Sequence, residues 1–258
     1  IMKIKGKIAL ITGASAGIGL GFAEVFAEAG ADLILVARRK DKLDRISEEI
    51  ENRHGIHCYK AKCDVRNYDE VKKFYNGLPE RWKKIDILVN NAGLARGLNY
   101  LHEGVLQDWE EMIDTNVKGL LYVSRVVLPD MVKRGRGDVL NIASVAGREV
   151  YPKGNVYCAT KHAAKALSKG MIIDLNGTGV RVTNIDPGLV ETEFSKVRFH
   201  GDDEKAEKVY EGYTPLTGRD IAEVGLFAVE RPPHVSLHDI LVMPTDQATA
   251  TMVNKKNG

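Results

Sequence analysis

Thr12-Gly13-Ala14-Ser15-Ala16-Gly17-Ile18-Gly19 follows the apolar run at residues 7–12 without a break and leads straight into an amphipathic stretch. Strand, glycine-rich turn and helix thus succeed one another at the start of the chain. Glycines suit this turn because it needs backbone angles with φ > 0. A bare Cα also lets a pyrophosphate reach the amide N–H groups at a helix N-terminus. The spacing, G-x-x-x-G-x-G, departs from the common G-x-G-x-x-G dinucleotide fingerprint, yet its setting between strand and helix is the one such a site requires. Gly13, Ser15, Gly17, Ile18 and Gly19 are therefore the candidate phosphate-turn residues.

The alternation begun there continues along the chain. Short apolar runs at 7–12, 33–37, 58–65, 85–90, 138–143, 180–185 and 240–244 read as seven strands, and amphipathic patterns at 18–29, 40–54, 67–83, 108–134, 155–177 and 217–230 read as the helices between them. Strict alternation of this kind implies a parallel sheet with helices on both faces, a doubly wound α/β (Rossmann-type) domain. Runs such as Leu33-Ile34-Leu35-Val36-Ala37 are nearly continuous in apolar residues, as strands buried on both faces should be. No repeat, linker or composition break divides the chain, so residues 1–258 read as one domain. The rhythm fails between Gly188 and Thr217, and that long connection, at about 189–216, is expected to be a substrate lid.

Of the 258 residues, 44% are hydrophobic and 28% charged, enough apolar surface to bury a sizeable core. A net charge of +2, with no Lys/Arg block, gives no electrostatic footprint for nucleic acid. Cys58, Cys63 and Cys158 have neither CxxC spacing nor an even count, which argues against a disulfide scaffold or metal clip and fits a reducing cytoplasm. No apolar run approaches the roughly 20 residues of a membrane span, and the N-terminus is too polar for a signal peptide. Ile1 ahead of Met2 reads as an added residue, and Asn254-Lys255-Lys256-Asn257-Gly258 as a frayed end.

At the end of the second strand, where an NAD site usually offers Asp or Glu to the ribose 2′-hydroxyl, stand Ala37, Arg38 and Arg39. Guanidinium forks suit a 2′-phosphate, so NADP is the expected cofactor; the plainer alternative is two solvated arginines. Further on, Tyr157-Cys158-Ala159-Thr160-Lys161 places a phenol and an ammonium on one helical face, where the cation should lower the phenol's pKa. Ser144 closes a strand at the carboxyl edge of the sheet, and Asn116 is an indifferent helix former within a helical stretch, which invites a polar role.

With Asn90-Asn91-Ala92-Gly93 and Pro187-Gly188, these motifs fall in the order and spacing of the short-chain dehydrogenase/reductases, which the chain resembles from Lys7 to about Ala248. The resemblance implies that Tyr157 is the general acid/base, that Ser144 holds the reacting oxygen, that Lys161 also grips the nicotinamide ribose, and that Asn116 anchors a relay water. It implies that Asp64 and Val65 flank the adenine, that Asn91, Ala92 and Gly93 line the cofactor cleft, and that Pro187, Gly188, Val190 and Thr192 meet the nicotinamide. No metal is implied. It suggests a homotetramer, with the final strand and the segment after Met243 meeting a partner subunit.

Residues 187–195, Val197-Arg198-Phe199, Gly201-Asp202-Asp203 and Met243-Pro244-Thr245-Asp246-Gln247-Ala248 are similar to the NADP-dependent 3-hydroxy acid dehydrogenases, which act on L-serine, L-allo-threonine and 3-hydroxypropionate-like acids. Such a substrate needs a cation for its carboxylate; Arg198 on the lid and Arg148 near Ser144 are the candidates, against a surface or inter-subunit salt bridge for either. A reductase of another carbonyl, sugar or 3-oxoacyl substrate, and a non-catalytic NADP-binding regulator, stand as the alternatives.

Overall fold

The structure, a computed structural model, describes residues 4–255, apart from the side chains of residues 206 and 207. The readings of Ile1 and of residues 256–258 lie outside the described residues. In chain order the elements are β1 (Ile8–Thr12), α1 (Gly17–Glu28), β2 (Asp32–Ala37), α2 (Lys40–His54), β3 (Cys58–Lys62), α3 (Tyr68–Asn76), α4 (Glu80–Lys83), β4 (Ile87–Asn90), α5 (Leu106–Ile113), α6 (Leu120–Arg134), β5 (Gly137–Ile142), α7 (Asn155–Asp174), β6 (Val180–Pro187), α8 (Phe194–Arg198), α9 (Asp203–Lys208), α10 (Gly218–Val229) and β7 (Asp239–Val242).

The seven strands form one parallel sheet ordered β3-β2-β1-β4-β5-β6-β7. Successive side chains of a strand face opposite sides, and here both sides are apolar. Ala9, Ile11, Leu33 and Leu35 pack with Phe22, Phe26, Leu43 and Ile221 of α1, α2 and α10. Ile8, Leu10, Ile34 and Val36 pack with Val71, Val123, Val127 and Met131 of α3 and α6. The order reverses between β1 and β4, so the loops leaving those two strands diverge and open a cleft at the carboxyl edge of the sheet.

Three asparagines lie side by side across the middle strands: Asn90 pairs in register with Asn141, and Asn141 with Asn184. Asn90 Nδ2 donates to Asn141 Oδ1 at 2.9 Å, and Asn141 Nδ2 donates to Ser168 Oγ of α7 at 2.9 Å. Asn184 Nδ2 donates to Asp186 Oδ1 at 2.8 Å and to Asp239 Oδ1 of β7 at 3.0 Å. Each of the three amides is buried and finds partners through its Nδ2, while Asn90 Oδ1 has none among the described residues.

Several boundaries differ from those read in the sequence. The helix expected at 67–83 is broken by Gly77-Leu78-Pro79, since proline lacks the N–H that would continue it. Strand β3 ends at Lys62 rather than Val65. The long helix around Asn116 carries one π-helical turn, Asp114–Gly119, between α5 and α6. The segment at 189–216 contains two short helices, α8 and α9, and closes on the capping box of Thr217 and Asp220. Asn254 and Lys255 are not frayed: Asn254 N–H donates to Asp246 O at 2.8 Å, and Lys255 Nζ to Lys208 O at 3.1 Å.

Candidate active site

A cleft of about 610 Å³ runs along the carboxyl edge of the sheet. It lies within the ordinary size range of small-molecule sites. Gly13, Ser15, Gly17, Ile18, Arg38, Arg39, Asp64, Val65, Asn91, Ala92, Gly93, Ser144, Tyr157, Lys161, Pro187, Gly188, Val190, Thr192 and Arg198 all line it. Gly19, Asn116 and Arg148 do not.

The turn after β1 is shaped for close approach. Gly13 has φ +66°, and a Cβ there would sit 2.9 Å from Asn91 Nδ2; a Cβ on Gly19 would sit 2.3 Å from the Gly13 carbonyl, so Gly19 serves the turn from beneath. The α1 N-terminus is capped by Ala16, which has no side-chain acceptor for the first-turn N–H groups. Asn67 and Thr217, by contrast, provide side-chain acceptors for α3 and α10. An uncapped helix end at a bare glycine turn is fitted to an anionic ligand such as a pyrophosphate.

Thr12, which sequence reasoning passed over, holds the turn in place. Its Oγ1 accepts from the Asn91 and Ala92 N–H groups, each at 3.0 Å, and donates to Val89 O at 3.2 Å, tying β1 to the loop leaving β4. A polar side chain closing an otherwise apolar strand was the available signal.

At the far end of the cleft, Arg38 is held loosely, 3.7 Å from Glu111. Arg39 donates to Ser15 Oγ through Nε at 3.1 Å and Nη2 at 3.0 Å. Asp64 stands near Arg38, its carboxylate gripped by Arg66 through Nε and Nη2; despite partial burial, these guanidiniums, Arg66 foremost, hold the carboxyl below its usual range. Two further charged groups reach this end unforeseen, Lys42 and Glu193, paired with each other at 2.6 Å.

The chemical centre is carried by β5 and α7. Ser144 caps the short 3₁₀ turn Val145–Gly147, its Oγ accepting from Ala146 N–H at 3.1 Å, which leaves its own proton free to donate elsewhere. Tyr157 is buried between Phe194, whose ring centroid is 5.6 Å away, and Lys161, whose Nζ is 5.9 Å from the phenol ring. Lys161 Nζ donates to Ile142 O at 3.0 Å. A Cβ on Gly93 would lie 3.3 Å from both Lys161 Nζ and Asn116 Oδ1, so Asn116 backs the cleft wall that Gly93 and Lys161 form.

The electrostatics correct one expectation. Burial drives the Lys161 ammonium down to about 8, against the pull of Asp186. Burial likewise pushes the Tyr157 phenol above its ordinary value, with Tyr151 adding to the rise and the Ser144 hydroxyl opposing it. Desolvation outweighs the Ser144 hydroxyl and the Arg198 guanidinium, which pull the phenol down, so Tyr157 is held in its protonated form in the free protein rather than acidified as expected.

Asn116 does not expose its amide to the cleft. Its Oδ1 accepts from Leu94 N–H at 2.8 Å, and its Nδ2 donates to Leu94 O at 2.8 Å and to Thr160 Oγ1 at 3.0 Å. The side chain thus clamps the loop after β4 to α7. A π turn, bonding i to i+5, takes main-chain carbonyls out of the α-helical pattern.

The two arginines proposed for a carboxylate separate clearly. Arg148, immediately after the 3₁₀ turn, is engaged by Asp186 at 2.5 Å and Asp239 at 2.6 Å and does not line the cleft. Arg198, in α8, lies with Cζ 5.2 Å from the Tyr157 ring and donates through Nη2 to Tyr151 OH at 2.7 Å. Its Nε is buried and has no hydrogen-bond partner among the described residues. Gln247 bears on the same region from the C-terminal segment: its Oε1 accepts from Leu189 N–H at 2.8 Å. That segment therefore packs on the start of the 189–216 connection of its own chain, while Leu241 and Met252 stay exposed.

A family model described as short chain dehydrogenase matches residues 7–203. The NADP-dependent 3-hydroxy acid dehydrogenase of Salmonella typhi is 48% identical over 244 residues, covering 94% of this chain and 97% of that one. The enzyme of the same description from Schizosaccharomyces pombe is 43% identical over 255 residues, 98% of each chain. Among solved structures, the closed form of a serine dehydrogenase complexed with NADP+ superimposes with a TM-score of 0.90 at 44% identity, covering 97% of this chain and 100% of that one. Serine dehydrogenase from Escherichia coli matches with a TM-score of 0.81 at 39% identity, over 93% of this chain and 99% of that one.

Proposed function

The chain belongs to the short-chain dehydrogenase family, and from that premise we propose that it is an NADP-dependent oxidoreductase acting on a small 3-hydroxy acid such as L-serine or L-allo-threonine. The observation that carries the substrate class is Arg198. A guanidinium with an unpartnered Nε, fixed beside the buried phenol of Tyr157, gives a carboxylate its grip while the neighbouring hydroxyl-bearing carbon faces the acid/base.

NADP, when bound, accepts or donates the hydride. The chain's own residues do the rest. Gly13 and the uncapped end of α1 receive the pyrophosphate, while Arg38 and Arg39 receive the 2′-phosphate. Asp64 and Val65 flank the adenine, and Asn91, Ala92, Gly93, Pro187, Gly188, Val190 and Thr192 wall the remaining length of the cleft.

Ser144 donates its free proton to the reacting oxygen, and Tyr157, protonated in the free protein, supplies the proton in reduction and takes it back in oxidation. Lys161 sets the charge beside the phenol and faces the nicotinamide ribose. Asn116, its side-chain amide fully engaged, meets a relay water through its main-chain carbonyl. Residues 189–216 act as a lid that carries Arg198 and Phe194 onto the substrate and excludes water.

Exposed apolar side chains support a homotetramer: Ile113, Leu121 and Ile173 on α5, α6 and α7, Phe227 on α10, Leu241 on β7, and Met252. The three cysteines are unpaired, which supports a reducing, cytoplasmic setting. No helix among the described residues is long and apolar enough to cross a membrane.

The test is a substrate panel with NADP+, followed by the absorbance of the reduced cofactor. L-Serine and L-allo-threonine should be turned over with a higher kcat/KM than sugars or 3-hydroxyacyl thioesters. A preference for either of those classes refutes the substrate, and no turnover of any compound refutes the activity.

A further inference from the structure

Glu193, one residue ahead of α8, reaches across the cleft to α2. Its Oε2 accepts from Arg39 Nη1 at 2.6 Å and its Oε1 accepts from Lys42 Nζ at 2.6 Å. These two cations hold the carboxyl below its usual range, so it is anionic at any working pH. The rest of the Arg39 fork is turned to Ser15, with Nε and Nη2 on Oγ and Nη2 also on the carbonyl. Both paired N–H edges of Arg39 are therefore engaged. One oxyanion bridging a guanidinium and an ammonium through two oxygens is the arrangement a phosphate adopts between the same groups.

We propose that Glu193 is an internal stand-in for the 2′-phosphate: the lid carboxylate and the phosphate of NADP(H) compete for Arg39 and Lys42, which makes Glu193 a determinant of cofactor choice and ties that choice to the seating of the lid. The proposal rests on the reading of Arg38 and Arg39 as the phosphate cradle. A phosphate brings close to two charges and three acceptor oxygens against one charge and two, so it displaces the carboxylate. A cofactor without the phosphate leaves Glu193 where it is.

Release is local. The far end of α8 stays tied, by Arg96 Nη1 on Val197 O at 2.8 Å and by Gly97 N–H on Arg198 O at 2.9 Å. What loosens is the stretch from Thr192 to Phe194. Thr192 lies over the phosphate turn, 3.0 Å from where a Cβ on Gly17 would stand, and Phe194 packs on Tyr157. Arrival of the phosphate is thereby felt beside the acid/base, in the lid residue that shields it.

The experiment uses 2′,5′-ADP and 5′-AMP as probes, titrated calorimetrically into the full chain and into Glu193→Gln. Exposed ion pairs are individually weak, so removing the competitor should tighten 2′,5′-ADP roughly fivefold and leave 5′-AMP within about twofold. Hydrogen exchange of residues 190–196 should rise when 2′,5′-ADP, but not 5′-AMP, is added to the wild type. In Glu193→Gln it should be high already and unresponsive. A wild type that binds both nucleotides alike removes the cradle and this proposal with it. A wild type that prefers 2′,5′-ADP, with no gain on Glu193→Gln, overturns the competition alone. A gain in affinity without the exchange response overturns the link to the lid.

Discussion

Lys161→Met should yield a protein that is more stable at neutral pH and nearly inactive, and the size of both effects can be worked from the structure. Lys161 is 6% exposed, and burial brings its ammonium from an ordinary value of 10.5 to about 8. That drop of roughly 2.5 pH units, at about 1.36 kcal/mol for each, makes the buried charge cost about 3 kcal/mol at pH 7. Methionine fills a similar volume without a charge but gives up the bond to Ile142 O, a loss of roughly 1 kcal/mol. The net gain of about 2 kcal/mol corresponds to a Tm rise of about 4–8 °C for a chain of this size.

The pH dependence fixes the sign. Between about 8 and 10.5 the unfolded chain binds more protons at this residue than the folded one, so wild-type stability at this site rises with pH over that window. The destabilisation is complete below pH 8 and vanishes above 10.5, so calorimetric scans at pH 7 and pH 10 should show the variant's advantage shrinking. Turnover should fall by about a hundredfold or more, as for loss of a group in a proton-transfer centre. A variant that melts at or below the wild type at pH 7, or a gap that does not change with pH, would refute the reasoning.

Tyr157→Phe keeps the ring against Phe194 and removes the proton, so kcat should drop about 10²–10⁴-fold while NADP binding, read by fluorescence, is retained. Arg198→Ala should raise KM for L-serine about tenfold or more and leave simple alcohols unaffected, since only the carboxylate loses its partner. Arg148→Ala should show the opposite pattern: KM unchanged, but stability lower by about 3 kcal/mol, because Asp186 is fully buried and loses its shortest ion pair.

How much of this was legible in the sequence differs from residue to residue. The sheet and the phosphate turn were readable because their signals are local: apolar runs of strand length, and glycines at fixed spacing between a strand and a helix. Arg148 was misplaced for the opposite reason. Four residues separate it from Ser144, but its partners, Asp186 and Asp239, come from β6 and β7, and nothing local reveals a partner so distant. The Tyr157–Lys161 spacing did place phenol and ammonium together, yet the balance of their charges depends on burial, to which Phe194, 37 residues further along the chain, contributes by packing on the phenol ring. Glu193 and Lys42 look like ordinary solvated charges until the fold brings 151 residues of separation down to one hydrogen bond. The break at Gly77-Leu78-Pro79, by contrast, was within reach of turn chemistry alone.

The row of asparagines through β4, β5 and β6 has a further consequence for the chemistry above it. Sliding any of these strands by a single position would turn an amide toward the greasy helices and strand its partners unmet, so misaligned sheets carry a heavy penalty. The distances at the cleft, from the glycine turn at one strand's tip to the serine at another's, are set by that alignment. Groups that never meet a ligand therefore act as the gauge blocks of the catalytic centre, and catalytic precision in this molecule is inherited from a seam buried well below it.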